Sequence, residues 1–168
     1  METIIITLIA IIFIGILFKI IQSKLSNKNK YNYATAYKDV DSILTKAELK
    51  FYDTLYDVCN DLDVTLFTKV RVADIVKVKN KDDYFTYFNK ISSKHIDFVL
   101  CDNATLKPLV CLELDDRSHY RKDRMERDKF INEVLSSIGY EVVHIPCKYK
   151  YDKEDVKLEL QNALKNVS

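Results

Sequence analysis

The residues best suited to chemistry are acids in two short apolar runs near the middle of the chain. Residues 96–101 contain Asp97 near their start, and residues 109–114 contain Glu113 near their end. Short, almost continuously apolar runs are typical of central, buried strands. Because a turn-forming Asp-Asn dipeptide follows the first run and Pro108 precedes the second, the two runs are predicted to form a hairpin.

The hairpin predicts which acidic side chains share a face of the sheet. A loop centred on Thr105 would place Asp97 opposite Glu113 in an antiparallel pair, and facing residues point to the same side. Strand alternation adds Asp115 to that side and places His95 opposite it. Carboxylates brought together repel one another unless they protonate or hold a cation, so the pattern predicts a site for Mg²⁺, Mn²⁺ or Ca²⁺. Solvated acids at strand ends, without function, are the alternative.

The segment after the second run adds a histidine and several basic side chains. Asp116 and His119 follow in a predicted turn, and His119 suits general acid or base catalysis near neutral pH. Three arginines at the start of the next predicted helix are candidates for binding backbone phosphates: Arg121, Arg124 and Arg127. Acids that include Asp128 alternate with them, so a solvated face held by ion pairs is the other interpretation.

The remaining sequence predicts the elements that position these residues. Thr45, followed three residues later by Glu48, forms a capping-box pattern, and helical periodicity predicts a helix over 45–62. A β-rich stretch and a short helix are predicted next, at 64–72 and 81–92. An amphipathic helix, a strand and a final helix follow the hairpin, at 121–138, 141–146 and 153–166. This α-β-α-β-β-α-β-α order indicates an α/β fold.

The first part of the chain has a different composition. Residues 4–21 are almost entirely apolar and, as a helix, would extend about 27 Å, close to the roughly 30 Å hydrocarbon core of a membrane. Lysines without acids follow this run, so the positive-inside rule predicts a cytoplasmic C-terminal side. A cleaved signal peptide is the alternative, but the start is not basic and no small-residue cleavage site follows. We predict a single-pass helix in the inner or plasma membrane.

Composition fits one folded domain behind this anchor. We expect an anchor at 1–21, a linker at 22–42 and an α/β domain at 43–168. The formal net charge is +1, so binding to nucleic acid would need a local basic patch. None of the four cysteines forms a CxxC pair. Core packing in a reducing compartment is predicted for them, with a disulfide or zinc site as the alternative.

Three segments together resemble a known family: Lys-His-Ile-Asp-Phe-Val-Leu at 94–100, Glu-Leu-Asp-Asp-Arg-Ser-His at 113–119, and Arg-Asp at 127–128. They resemble the bacterial family catalogued as domain of unknown function 2726. That family is similar to the PD-(D/E)XK nuclease-like superfamily, in particular to very-short-patch-repair-type endonucleases. The likeness covers about residues 43–164.

The resemblance implies a restriction-endonuclease-like core, in which helices flank a central mixed β-sheet. It implies that Asp97 and Glu113 bind metal and that Glu48 is an auxiliary acid. The lysine of the (D/E)-x-K motif is replaced here by Asp115. Repair-type relatives use an acid and a histidine instead, so Asp115 and His119 would take its place.

Two functions from different classes fit these features. The first is a Mg²⁺- or Mn²⁺-dependent nuclease acting on nucleic acid, with DNA favoured over RNA. Asp97, Glu113 and Asp115 would hold the metal, and His119 would activate water or protonate the leaving group. The second is a catalytically inactive module of the same fold that binds nucleic acid or a protein partner at the membrane.

Overall fold

The computed structural model describes residues 1–26, 33–115 and 122–167, and the chain divides into two compact units, Met1–Asp41 and Ser42–Ser168. The first unit contains helices α1 (Glu2–Ser26) and α2 (Tyr33–Ala36). The second contains α3 (Lys46–Asp61), β1 (Val64–Arg71), α4 (Val72–Ile75), α5 (Tyr84–Ile91), β2 (His95–Asp102), β3 (Pro108–Asp115), α6 (Lys122–Ser136), β4 (Glu141–Pro146) and α7 (Lys153–Val167).

Helix α1 is long and apolar enough over Glu2–Ser23 to cross a membrane. Its large side chains, such as Ile4 and Phe13, are exposed, and none of this stretch is buried within the described protein. Its length and apolar composition are those of a membrane-spanning helix. The helix continues to Ser26, so the predicted linker at 22–42 contains the end of α1 and the short helix α2.

The second unit is built on a four-stranded mixed sheet of order β1-β2-β3-β4. Strand β2 is antiparallel to both β1 and β3, whereas β3 and β4 are parallel. The predicted hairpin is confirmed, and the pair Phe98 and Leu112 has the predicted register. That register shifts between Leu100 and Cys101, where Cys101 pairs with Pro108. Parallel pairing requires a crossover connection, which α6 provides.

Helices cover both faces of the sheet. On one face, which we call the α3 face, Phe51 of α3 and Leu160 of α7 pack on Phe98 and Leu112. On the opposite face, the α6 face, Ile131 and Leu135 of α6 pack on Val99 and Cys111 of the sheet. The predicted α/β class, with a mixed sheet between helices, is therefore confirmed.

The inward and outward alternation of β1 and β2 reverses at Lys69 and Asp97. Phe98 packs on the α3 face and Ile96, two residues earlier, on the α6 face. The paired residues pass from Thr68–Phe98 to Val70–Ile96, and Lys69 has a φ of 53°. A left-handed φ is uncommon for a residue other than glycine, and such an irregularity re-aims side chains next to it. Lys69 and Asp97 thereby both reach the α3 face.

Several element boundaries differ from the sequence prediction by one to three residues. Strand β1 ends at Arg71, and Val72 begins the short helix α4, which was not predicted. The backbone N–H of Val72 donates to the carbonyl of Lys94 at 2.8 Å, so α4 starts where the β1–β2 pairing ends. Helix α5 begins at Tyr84, three residues after the predicted start.

The cysteines belong to the core, as predicted. All four are free thiols, and Cys59, Cys101 and Cys111 are buried. Burial raises the pKa of the Cys59 and Cys111 thiols to about 12. Since the thiolate is the reactive and metal-binding form, these two residues act as small apolar side chains at neutral pH.

Substituting Thr45 with alanine is expected to destabilise the second unit by about 0.5–2 kcal/mol. The predicted capping box is present: Glu48 N donates to Thr45 Oγ1 at 3.3 Å, and Thr45 N donates to Glu48 Oε2 at 3.0 Å. Alanine leaves the first of these N–H groups without its partner. Urea unfolding of the full chain in detergent micelles measures the change, and Thr45→Ser should stay close to wild type. Equal stability of the alanine and wild-type chains would contradict the expected role of this cap.

Candidate active site

Polar side chains collect at one end of the sheet. Because β2 runs antiparallel to β1 and β3, its first residues lie beside the last residues of both neighbours, and β4 ends at the same side as β3. The polar side chains at this end include Lys69 of β1, Asp97 of β2, Glu113 and Asp115 of β3, and His144 of β4. Chain topology thus brings together residues that are up to 75 positions apart in the sequence.

On the α3 face, one lysine joins two carboxylates. Lys69 Nζ donates to Glu48 Oε1 at 2.8 Å and to Asp97 Oδ1 at 2.7 Å. The side chains of Glu48 and Asp97 are only 11% and 15% exposed. Burying two acids this close is costly unless a cation lies between them, and the Lys69 ammonium is that cation.

The second oxygen of each carboxylate also accepts a hydrogen bond. Glu48 Oε2 accepts from Thr45 N, which ties it to the start of α3. Asp97 Oδ2 accepts from Leu114 N at 3.1 Å. Asp97 therefore bridges β1 and β3 and lies directly beside the backbone of Glu113. Charge-assisted hydrogen bonds of this kind are stronger than neutral ones, so the two acids are held in fixed orientations.

Two opposing effects act on the pKa of Lys69. Burial disfavours the ammonium, but the hydrogen bonds and negative charges of Asp97 and Glu48 outweigh that effect, so the pKa of Lys69 lies above its ordinary value. Lys69 is charged throughout the physiological range. Its stabilising contribution is therefore complete below the unfolded pKa of about 10.4 and is lost as the pH rises through the higher folded value.

Replacing Lys69 with methionine is expected to lower the free energy of unfolding by roughly 1–2 kcal/mol at pH 7. Methionine keeps the length of the side chain but leaves Glu48 and Asp97 without their shared cation. The loss should begin to shrink above the unfolded lysine pKa of about 10.4 and should disappear as the pH rises through the higher folded pKa of Lys69. Urea unfolding at pH 7 and pH 11 measures both effects. Arg71→Met is a matched control, since the Arg71–Asp74 pair is exposed, and a deficit for Lys69→Met that is the same at both pH values would contradict this role.

The α6 face carries a second polar group. His144 Nδ1 lies 3.2 Å from Asp115 Oδ1, and His144 Nε2 lies 3.0 Å from Asn132 Nδ2 of α6. An amide N–H donated to Nε2 requires the proton to sit on Nδ1, where Asp115 accepts it. These three residues and Asp128 line an open cavity of about 590 Å³.

The structure places the side chains of Asp97, Glu113 and Asp115 on two faces of the sheet and not on the one face that was predicted for them. Leu112 and Leu114 pack on the α3 face, so alternation places Glu113 between them on the α6 face with Asp115. The reversal at Asp97 turns that carboxylate to the α3 face instead. Among the side chains that the structure describes, no three His, Cys, Asp or Glu residues form a group able to hold a metal ion.

The other predicted site residues have separate placements. Glu48, expected as an auxiliary acid, directly shares Lys69 with Asp97. His95 is exposed and pairs with Arg71 in the sheet. Three predicted residues lie outside the described part of the chain: Asp116, His119 and Arg121. Arg124 and Arg127 belong to α6, but their side chains are outside the described part as well.

Sequence reasoning missed Lys69 and His144. Lys69 gave no signal, because a lysine in a β-rich stretch normally marks a solvated position. His144 could have been found from the parallel pairing of β3 and β4, which places it beside Glu113. Because side chains alternate along a strand, the apolar neighbours Val143 and Ile145 indicated that His144 points to the opposite face of the sheet.

The observed fold and the polar sheet end define the class: an α/β protein with a mixed sheet whose acids, lysine and histidine form a candidate acid–base or metal site. The chain belongs to the family described as "Protein of unknown function (DUF2726)", whose model matches residues 40–164. This confirms the family that the sequence motifs indicated. No curated protein and no solved structure matches the chain.

Proposed function

We propose that this protein is a membrane-anchored nuclease with a restriction-endonuclease-like core, which hydrolyses phosphodiester bonds of nucleic acid with the help of a divalent metal ion. One observation carries the proposal. Asp97 and Glu113, the acids of the sequence motif, lie at one end of the sheet. The same end holds Lys69, which is paired with Asp97, and His144, which is paired with Asp115. Phosphoryl transfer needs these parts: oxygen ligands, a positive charge for phosphate and a proton carrier.

The donor set fits a hydrated Mg²⁺ or Mn²⁺ ion. Mg²⁺ is usually held by one or two carboxylates and keeps several waters. Asp97 and Glu48 supply two such carboxylates, whose oxygens already bind one shared cation, Lys69 Nζ. Glu113 is a further acid at this sheet end, but it lies on the opposite, α6 face together with Asp115 and His144. A bound divalent ion would polarise the phosphoryl oxygen and make a water molecule more acidic.

The remaining residues have distinct tasks in this proposal. Lys69 supplies positive charge next to the acids, and an ammonium group binds phosphate oxygens as a point charge. Asp115 fixes the ring orientation and tautomer of His144, as a carboxylate does for a catalytic histidine. With Nδ1 protonated, the lone pair of Nε2 accepts from Asn132 Nδ2, and Nε2 would take up a proton from the reaction once that hydrogen bond opens. Arg121, Arg124 and Arg127, in the sequence that follows β3, would bind the nucleic-acid backbone.

The location follows from α1. A helix of this length and composition suits a single span of the inner or plasma membrane, and the lysines after it favour a cytoplasmic C-terminal domain. The anchor would confine the activity to nucleic acid near the membrane, with DNA favoured over RNA as the substrate.

A cleavage assay tests this function. The full chain in detergent micelles is incubated with single- and double-stranded DNA and RNA, in Mg²⁺, in Mn²⁺ or in chelator. We expect cleavage only with a metal ion, and strong reduction by Glu113→Gln and by His144→Ala. Absence of cleavage under all conditions, or cleavage that both substitutions leave unchanged, would overturn the proposal.

A non-catalytic nucleic-acid-binding module is the second candidate function. The observation that favours it is the internal pairing of Asp97 and Glu48 with Lys69, which neutralises acids that would otherwise attract a metal ion. This candidate predicts binding of fluorescent DNA or RNA with equal affinity in Mg²⁺ and in chelator, and no cleavage. Anisotropy measured on the same samples separates the two candidates.

A further inference from the structure

Helix α5 presents aromatic side chains to solvent. We call the three exposed ones, Tyr84, Phe85 and Tyr87, the aromatic edge; they are 40%, 74% and 47% exposed. Within α5 only Ile91 is buried. Singly exposed apolar residues are normal on a protein surface, but adjacent large ones indicate an interaction surface.

The aromatic edge is an ordered surface with an apolar recess beside it. The ring of Tyr84 packs on Phe85 at 5.4 Å and on Phe88 at 5.6 Å between centroids. A cavity of about 290 Å³ opens next to Tyr87, with apolar walls that include Val78 and Phe130. Its size and largely apolar lining suit a hydrocarbon chain, and the two lysines that also line it suit an anionic group attached to that chain.

The charge around the aromatic edge is positive. Four exposed lysines lie in this segment: Lys77, Lys79, Lys81 and Lys90. Two acids, Asp82 and Asp83, partly offset them. Lys79 and Lys90 line the cavity, and Lys90 Nζ lies 5.9 Å from the centre of the Tyr87 ring. Aromatic side chains surrounded by lysines match an interface between hydrocarbon and anionic headgroups.

We propose that the aromatic edge docks on the anionic lipid surface of the membrane that holds α1. Charge complementarity favours lipid as the occupant. The covalent connection does so too, because residues 27–41 can extend to at most about 50 Å. A tether this short keeps the second unit at a high effective concentration near the bilayer, so a weak lipid contact is sufficient. The inference rests on the proposed membrane anchor and is independent of the proposed nuclease activity.

Tryptophan fluorescence tests this docking, since the chain contains no tryptophan. Phe85→Trp places a single probe on the aromatic edge, and Tyr149→Trp places one at a residue that is 91% exposed on a loop before α7. Both full-length chains are reconstituted into vesicles with an anionic lipid fraction, with and without brominated acyl chains. We expect the probe at 85 to emit at shorter wavelength than the probe at 149 and to be quenched about twofold more by bromine.

A further variant tests whether positive charge contributes to the docking of the aromatic edge. In the Phe85→Trp background, Lys79→Glu combined with Lys81→Glu should bring the quenching close to that of the probe at 149, since both lysines are exposed and lie outside the core. In purely zwitterionic vesicles, the Phe85→Trp chain with both lysines intact should likewise be quenched only about as much as the probe at 149. Quenching that ignores both changes would overturn the anionic-lipid assignment.

Other outcomes are also decisive. If the chain floats with vesicles but both probes are equally unquenched, docking is wrong and the anchor stands. If the chain does not float with vesicles, the anchor and the docking fail together, whereas the cleavage assay is unaffected. A blue shift that appears in detergent without lipid and grows with protein concentration would assign the surface to self-association and overturn the proposal.

Discussion

Asp97→Asn is expected to lower metal-dependent cleavage by about 100-fold or more, because charge stabilisation by a bound metal is worth several kcal/mol and about 1.4 kcal/mol changes a rate tenfold. Asparagine has nearly the same shape but no negative charge. Its amide oxygen can still accept from Leu114 N, as Asp97 Oδ2 does, which preserves the bridge to β3. The rate of cleavage under single-turnover conditions is the measurement.

The matched control is Asp102→Asn at the other end of the same strand. Asp102 Oδ1 accepts from Thr105 N and from Ala104 N in the hairpin loop. Its substitution should alter loop stability but leave cleavage within about twofold, because Asp102 is remote from the polar sheet end. Equal losses for Asp97→Asn and Asp102→Asn would assign both effects to folding and remove Asp97 from the proposed site.

Phe51→Ala should destabilise the second unit by about 3–5 kcal/mol, the range for deleting a buried phenylalanine side chain. Phe51 is fully buried, and its ring lies 5.5 Å from that of Phe98 and 4.7 Å from that of Tyr151. It therefore joins α3 to the sheet and to the segment before α7. Urea unfolding of the full chain in micelles, followed by near-ultraviolet circular dichroism, measures the loss.

Phe85→Ala provides the contrast, since Phe85 is the most exposed residue of the aromatic edge. In micelles its removal should change the free energy of unfolding by less than about 0.5 kcal/mol, as expected for a surface position. If Phe51→Ala costs no more than Phe85→Ala, the α3 face does not contain the packed core described above.

Sequence patterns predicted the elements well where the signal is local. The capping box of Thr45 and Glu48 fixed the start of α3, and continuous apolar runs identified β2 and β3. The turn between them set the register of Phe98 with Leu112. Each of these features depends on residues close together in the chain, and the underlying preferences act over a few positions.

The arrangement of the site could not be derived in the same way. Simple alternation assumed a regular β2, but the strand reverses its faces at Asp97. The cause lies on β1, where Lys69 adopts a φ of 53°, although glycine or asparagine would normally mark such a position. The pairing of Asp115 with His144 depends on the parallel contact of β3 and β4, which is a tertiary feature.

The backbone and the side chain of Lys69 have opposite preferences. A left-handed conformation costs a residue with a Cβ roughly 1–2 kcal/mol, a cost that glycine avoids. The Lys69 ammonium, however, offsets the repulsion between the carboxylates of Glu48 and Asp97. Such a conflict between two energetic preferences at one residue is called local frustration, and folded proteins retain it mainly at functional positions. Glycine at position 69 alone would relieve the backbone but leave both acids without their shared cation, so a selection for thermal stability would gain little from it. The most stable variants would replace Glu48 and Asp97 as well, and would thereby have lost the polar end of the sheet.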